Sequence, residues 1–159
     1  MENEELGLTI AKEENAVMDL TNFRKNSKVQ VGTFTNITDS VELFNIQSHV
    51  DYMLNDCVGE KIRFVKVLIR RFEKPLDNPI VDEVTGEILK ETELKFSCVL
   101  IDAGGKSYAT GSKTFTFNLM NYLSDFGGAT KLDEGGIEIE VIKVPTPSGN
   151  KALSFKLLR

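Results

Sequence analysis

The 159-residue chain has few of the residues from which metal sites and disulfide frameworks are built. It holds two cysteines, Cys57 and Cys98, and a single histidine, His49. A zinc site or a disulfide framework needs more ligands at closer spacing, so we expect two buried thiols in a reducing compartment. His49 lies in a polar stretch without a second histidine, which argues against catalysis or metal binding there. The sequence therefore predicts neither a metal nor a cofactor.

Long apolar runs are also missing. No run approaches the roughly 18 apolar residues of a membrane-spanning helix. The N-terminus, MENEELGLTI, is acidic where a signal peptide is basic and then apolar. With 41% hydrophobic and 27% charged residues, the composition is that of one ordinary globular domain. We expect a cytoplasmic protein that makes no contact with a membrane.

Recognisable catalytic motifs are absent as well. The glycines form no Walker A string and no GxGxxG that opens a helix after a strand. The acids between Glu73 and Glu93 do not have the spacing of a calcium loop. We therefore expect a protein that is not an enzyme.

The net charge of -5 argues at first against a nucleic-acid partner, but the charge is unevenly distributed. Residues 1–27 hold six acids and three bases, and we predict a flexible acidic arm there, followed by one folded domain over residues 28–159. The stretch KIRFVKVLIRRFEK, residues 61–74, holds six bases and one acid. It is either a stripe that binds a polyanion or a solvated strand face paired with neighbouring acids.

Alternating apolar residues and turn signals predict a mainly β fold. The segment Asp39 to Asn45 is compatible with a turn or a short helix. Thr85-Gly86 separates two short runs, 80–84 and 87–90, that predict a β-hairpin or a pair of extended strand ends, and a hairpin here would project as an arm. Ala103-Gly104-Gly105 makes a tight connection between two of the predicted strands. The predicted strands span residues 29–34, 62–72, 94–102, 106–110, 137–144 and 151–158.

One amphipathic helix is predicted after Ser112, which is a plausible N-cap. Gly127-Gly128 supplies its C-terminal stop. Three strands, a helix and two further strands are the order of an oligonucleotide-binding (OB) fold. We therefore predict an OB-like five-stranded barrel with one α-helix between strands 3 and 4, plus the hairpin arm. Five phenylalanines match inward positions: Phe64, Phe96, Phe115, Phe126 and Phe155.

Four strings of the sequence carry a family resemblance: DCVGEKI (56–62), DEVTGEI (82–88), VLIDAGGKSYATGS (99–112) and NKALSFKLL (150–158). Together they resemble single-stranded DNA-binding proteins encoded by phages and other mobile elements of Gram-positive bacteria. The resemblance covers roughly residues 29–158. It implies an OB-like fold, sequence-tolerant binding of single-stranded DNA, and a role in replication or recombination of the element inside a bacterial host cell.

Binding of single strands without sequence preference requires cations along the phosphates and aromatic faces for the bases. The candidate aromatic residues are Tyr108 and Phe72, while Phe117 lies off the main apolar face of the helix. Alternatively, Tyr108 is a barrel-rim residue, Phe72 anchors the hairpin arm and Phe117 covers the barrel side or a subunit contact. The candidate cations are Arg63, Lys66, Arg70, Arg71, Lys95, Lys106, Lys113, Lys151 and Lys156.

A second function is compatible with the same sequence. An exposed sheet edge and the mixed, acidic arm at residues 77–90 would suit a protein-interaction or assembly module. We expect single-stranded DNA as the main partner, and we leave homo-oligomers and replication or recombination proteins open as further partners.

Overall fold

A computed structural model describes residues 29–158, so the predicted acidic arm over residues 1–27 lies outside the described residues. The chain divides into two compact units. The first, called the body here, comprises Val31–Arg71 and Lys95–Arg159. The second, called the hairpin unit, comprises Phe72–Leu94 together with Val29 and Gln30.

The described residues form seven strands and three α-helices, with one 3-10 turn at Leu54–Cys57. Most elements predicted from the sequence are confirmed, although the two longest strands extend well beyond their predicted ends. The strands are β1 (Val29–Thr35), β2 (Tyr52–Met53), β3 (Lys61–Val81), β4 (Ile88–Asp102), β5 (Ser107–Thr110), β6 (Ile137–Pro145) and β7 (Lys151–Leu157). The helices are α1 (Ser40–Ser48), α2 (Lys113–Asp125) and α3 (Gly128–Lys131).

The seven described strands make one sheet that does not close. Its order is β2-β5-β4-β3-β6-β7, with β1 paired to β3. The mainly β fold is confirmed, but the five-stranded barrel is wrong. The edge of β5 that faces away from β4 pairs with β2. This pairing is parallel and joins Tyr52 to Tyr108 and Met53 to Ala109. Because that edge is taken, β5 is not available to close a ring against β7.

The body has an apolar cluster on each face of the sheet. Alternation along β4 sends Cys98 and Leu100 into the cluster beneath α2, and Val99 and Ile101 into the cluster beneath α1. The predicted alternation of this strand and the burial of both cysteines are therefore confirmed. Each large apolar side chain buried in this way stabilises the fold by about 1.5–3 kcal/mol.

Strand β3 changes phase between Phe64 and Val67. Ile62 and Phe64 are buried on the α2 side, and so are Val67 and Ile69, although simple alternation would put these two pairs on opposite faces. One extra residue between the pairs, as in a β-bulge, accounts for the shift. It leaves Val65 and Lys66 as two consecutive half-buried residues.

The side chain of Asn36 holds this bulge in place. Its Nδ2 donates to the carbonyl oxygen of Val65 at 3.0 Å, and its Oδ1 accepts from the backbone N–H of Val67 at 2.9 Å. Thr35 adds a bond from its hydroxyl to the Val67 carbonyl at 2.8 Å. The side-chain amide of Asn36 therefore forms hydrogen bonds with the two backbone groups, of Val65 and Val67, that the bulge takes out of the regular hydrogen bonding between strands.

The predicted helix forms, and its predicted N-cap is confirmed. The hydroxyl of Ser112 accepts from the backbone N–H of Phe115 at 3.2 Å. The helix ends at Asp125, and Gly127 adopts a left-handed φ of 72°. The prediction that Phe126 is a core residue is wrong, because it lies past the last helical turn and is 76% exposed. The short helix α3 follows, between α2 and β6.

The other four phenylalanines have buried or partly buried rings. Phe64, Phe96 and Phe115 are buried, and Phe155 is half-buried. The rings of Phe115 and Phe155 meet edge to face, with centroids 5.1 Å apart. Their inward positions are therefore confirmed.

The hairpin unit contains the predicted β-hairpin. The backbone N–H of Asp82 donates to the carbonyl of Glu87, and that of Gly86 donates to the carbonyl of Asp82, both at 2.8 Å. The Asp82 carboxylate also accepts from the backbone N–H groups of Val84 and Thr85. Its two strands are the extended ends of β3 and β4, so both readings of this segment describe part of what forms, and both strands run past the bounds 62–72 and 94–102.

Candidate nucleic-acid interface

Six cationic residues share the sheet face opposite α2, and we call this set the basic face. Because of the bulge, residues 61 and 63 of β3 lie on the same side as residues 66 and 70. Strand β4, which neighbours β3, adds one cation on this side, and β7, at the far side of β6, adds another. The basic face consists of Lys61, Arg63, Lys66, Arg70, Lys95 and Lys156.

Three glutamates accompany these cations. Glu138 accepts from the Arg63 guanidinium at 3.2 Å, and Glu42 of α1 pairs with Lys66 at 2.6 Å. Glu140 lies between Lys61 and Lys156 in the cross-strand register. Such partly exposed ion pairs contribute only about 0–1 kcal/mol, so phosphates can compete for the cations. Together these six bases and three acids carry a net charge of +3.

Arg70 is a half-buried cation of the basic face. Its Nη2 lies 3.5 Å from the hydroxyl of Ser97, which is on the same face of β4. Burial lowers the pKa of its guanidinium. Arginine keeps its charge at neutral pH, so this side chain adds a fixed positive charge to the basic face.

Charge is divided unequally between the two units. The residues of the body include 13 bases and 11 acids, a net charge of +2. Residues 72–94 of the hairpin unit include two bases and seven acids, a net charge of -5. The acidity of the whole chain is therefore not a property of the body, and it does not prevent the body from attracting a polyanion.

The sequence analysis missed an exposed aromatic ring beside the basic face. Phe44 of α1 is 67% exposed, while Leu43 and Ile46 of the same helix pack toward the sheet. The pair between Glu42 and Lys66 fixes this helix against β3. Once a helix is assumed from Ser40, the spacing of Leu43 and Ile46 places Phe44 away from the buried side, and that signal was available in the sequence.

Tyr108 belongs to a separate cluster at the β2–β5 edge. Its ring stacks on Tyr52, with centroids 5.2 Å apart, and its hydroxyl donates to Asp102 Oδ2 at 3.2 Å. Burial, with the nearby charge of Asp102, raises the pKa of Tyr108 to about 12. The Lys106 ammonium lies 5.9 Å from the Tyr52 ring centroid. Tyr52 is 44% exposed whereas Tyr108 is half-buried, so the ring more available for stacking here is that of Tyr52.

The cavity next to this tyrosine pair is unfavourable for phosphate. It has a volume of about 450 Å³, and its lining includes Asp51, Asp56 and Glu60. Asp51 is also tied to the backbone N–H of Ser107 at 2.9 Å. A phosphate inside this cavity would meet like charge, so bases rather than the backbone would have to face it.

The remaining predicted residues are dispersed. Arg71 points to the face opposite Arg70 and lines a cavity of about 220 Å³ with Phe34, Phe96 and Met120. Lys113 is at the start of α2, and Lys151 opens β7 opposite Pro145. Phe72 is half-buried and belongs to the hairpin unit. The structure thus brings together five of the nine predicted cations and separates the other four.

Comparisons with known proteins give no further assignment. The chain matches no family model, no curated protein sequence and no solved structure. Within residues 29–158, no helix is long and apolar enough to cross a membrane. In the same range, no group of three or more histidine, cysteine, aspartate or glutamate side chains is placed to hold a metal ion.

Proposed function

We propose that this protein binds single-stranded DNA without sequence preference and without catalysis, as a strand-protecting protein in the replication or recombination of a phage or mobile element. The observation that carries the proposal is the basic face, with six cations and three acids on a body whose net charge is +2. Sequence-independent binding draws most of its affinity from the neutralisation of phosphates.

The order of the long strands supports the same proposal. The five strands from β3 to β7 lie in the order β5-β4-β3-β6-β7 across the sheet. Along the chain, α2 lies between the third and the fourth of these strands, β5 and β6. An OB fold is a partly open, five-stranded Greek-key barrel, and many of its members bind oligonucleotides. The helix α2 packs against β7, as Ser112 Oγ donates to the Leu153 carbonyl at 3.3 Å and Asn118, in the middle of the helix, donates to the Ser154 hydroxyl at 2.9 Å.

Aromatic rings suited to base stacking are present on the body. Phe44 lies beside the basic face, and Tyr52 is 44% exposed next to Lys106. Stacking of a base on an aromatic side chain contributes about 1–3 kcal/mol and tolerates any base. We infer that phosphates follow the basic face and that bases contact rings at its margins.

The proposal is tested by titrating labelled single-stranded DNA, double-stranded DNA and RNA oligomers with the protein at two salt concentrations, with fluorescence anisotropy as the readout. We expect tighter binding to single strands than to duplex, similar affinity for different sequences, and affinity that falls steeply with salt. Undetectable or salt-insensitive binding of single strands at low salt would contradict the proposal.

The hairpin unit favours a second candidate function, docking to another protein. Residues 72–94 have a net charge of -5 and carry exposed apolar side chains at Ile80, Val84, Ile88 and Leu89, with Val84 92% exposed. An acidic strand pair with exposed apolar residues suits a basic protein surface. If the protein has only this second role, the oligomer titrations will show no salt-dependent binding.

A further inference from the structure

The exposed ridge of α2 carries charge only at its two ends. Residues 113, 117, 121 and 125 follow one another at intervals of four, which places Lys113, Phe117, Asn121 and Asp125 in one row along the helix. All four are exposed, and Phe117 is 49% exposed. Between Lys113 and Asp125 the helix contains no charged residue.

This surface has the composition of a protein interface rather than that of a solvated helix face. Met120 and Phe126 extend the exposed apolar area on either side of the ridge. The Phe117 ring is held by edge-to-face contact with Phe96, at a centroid distance of 4.9 Å. Exposed helix faces are normally charged and polar, whereas the centres of interfaces are poor in charge and rich in aromatic residues and methionine.

The charges at the two ends have the wrong sign for this helix. A helix has a partial positive charge at its N-terminus and a partial negative charge at its C-terminus. Lys113 is the first residue of α2 and Asp125 is the last, so each side chain lies next to a terminus of its own sign. Both arrangements are unfavourable in the isolated chain.

We propose that a second copy of this chain covers the ridge, with the two α2 helices antiparallel about a two-fold axis near Leu119. In this arrangement Lys113 lies next to Asp125 of the second copy, and Phe117 lies next to Asn121 of the second copy. The two ends of the ridge are about 18 Å apart, and helix axes pack about 8–10 Å apart. The charge complementarity of the ends selects a second copy, because each terminus receives a side chain of the favourable sign.

Charge-reversal variants test this contact. Lys113→Asp alone places the introduced carboxylate next to the carboxylate of Asp125 in the second copy, and the two repel each other. Asp125→Lys alone likewise sets the introduced ammonium against that of Lys113 in the second copy. Each reversal appears twice in a symmetric dimer, so we expect the dimer dissociation constant to rise about tenfold or more in sedimentation equilibrium. The combined Lys113→Asp and Asp125→Lys variant restores an opposite pair and should return the constant close to that of the unmodified protein.

Thermal unfolding distinguishes weaker dimerisation from a loss of folding in the single-reversal variants. Each single reversal gives α2 a charge that suits its own dipole, so the midpoint of thermal unfolding measured at a low, monomeric concentration should be unchanged or higher. Lys131→Asp and Asp133→Lys are matched controls at exposed positions outside α2, and they should leave dimerisation unchanged. A protein that remains monomeric at about 1 mM, or a combined variant that fails to recover dimerisation, would overturn the proposal.

Discussion

The amide of Asn36 offers the sharpest test of how the body is built. Replacing Asn36 by alanine removes both of its bonds to β3, the one to the Val65 carbonyl and the one from the Val67 N–H. A net contribution of about 1 kcal/mol for each hydrogen bond gives a loss of about 2 kcal/mol in the free energy of unfolding. The loss should be larger where the freed backbone groups stay shielded from water.

Urea unfolding followed by circular dichroism measures this loss, with the slope of the transition as a check that the unfolded states are comparable. Asn45→Ala is the matched control, because Asn45 is exposed on the surface of α1 and outside the α2 ridge, and its change should remain within about 0.5 kcal/mol. A loss below about 0.5 kcal/mol for Asn36→Ala would refute the role assigned to this side chain.

Asn36→Asp separates the two hydrogen bonds. A carboxylate still accepts from the Val67 N–H, but it cannot donate to the Val65 carbonyl and places negative charge against it. The variant should therefore be destabilised at neutral pH. The difference in the free energy of unfolding between this variant and the unmodified protein should decrease as pH falls below about 4, because the protonated carboxyl regains a hydrogen-bond donor.

Two further predictions concern a turn and a titration. Alanine at Gly136 would place its Cβ 2.6 Å from the Phe64 carbonyl oxygen at a φ of 96°, so urea unfolding should show a loss of at least about 2 kcal/mol. Gly149→Ala, with a φ of 89° and no atom near the added Cβ, should cost about half as much or less. Ultraviolet titration should show one of the three tyrosines, Tyr108, ionising near pH 12, and Asp102→Asn should lower that pKa. The raised pKa means that the contribution of Tyr108 to stability is fully present below about pH 10 and is lost as pH rises toward 12. A pKa of Tyr108 that is not raised, or that Asp102→Asn leaves unchanged, would contradict this assignment.

The sequence predicted a structural element correctly where residues within a few positions of each other determine that element. The N-cap at Ser112, the turn at Asp82 to Glu87 and the alternation along β4 depend on neighbours within a few residues, and all three occur. The prediction that Phe126 is buried failed because helical periodicity was extended past the residue at which the helix ends.

Two features depend on contacts between residues that are distant in sequence: whether the sheet closes into a barrel, and which cations belong to the basic face. Nothing local to Tyr52 and Met53 indicates that they occupy the edge of β5, 56 residues further along. Likewise, Arg70 and Arg71 looked equivalent in sequence, and only the bulge held by Asn36 determines which of them joins the basic face. Strand periodicity alone cannot locate a single inserted residue in a run where both faces are apolar.

The most direct test of the central claim is the salt dependence of binding to single-stranded DNA for a charge variant of the basic face. Lys61→Ala combined with Lys156→Ala removes two exposed cations from that face, and Lys131→Ala combined with Lys143→Ala removes two exposed cations elsewhere on the body. For a labelled oligo-dT of about 30 nucleotides, the first pair should weaken binding and reduce the slope of log affinity against log salt by about 1.4, whereas the second should change neither. Equal effects of the two pairs, or no effect of the first, would contradict the assignment of DNA binding to the basic face.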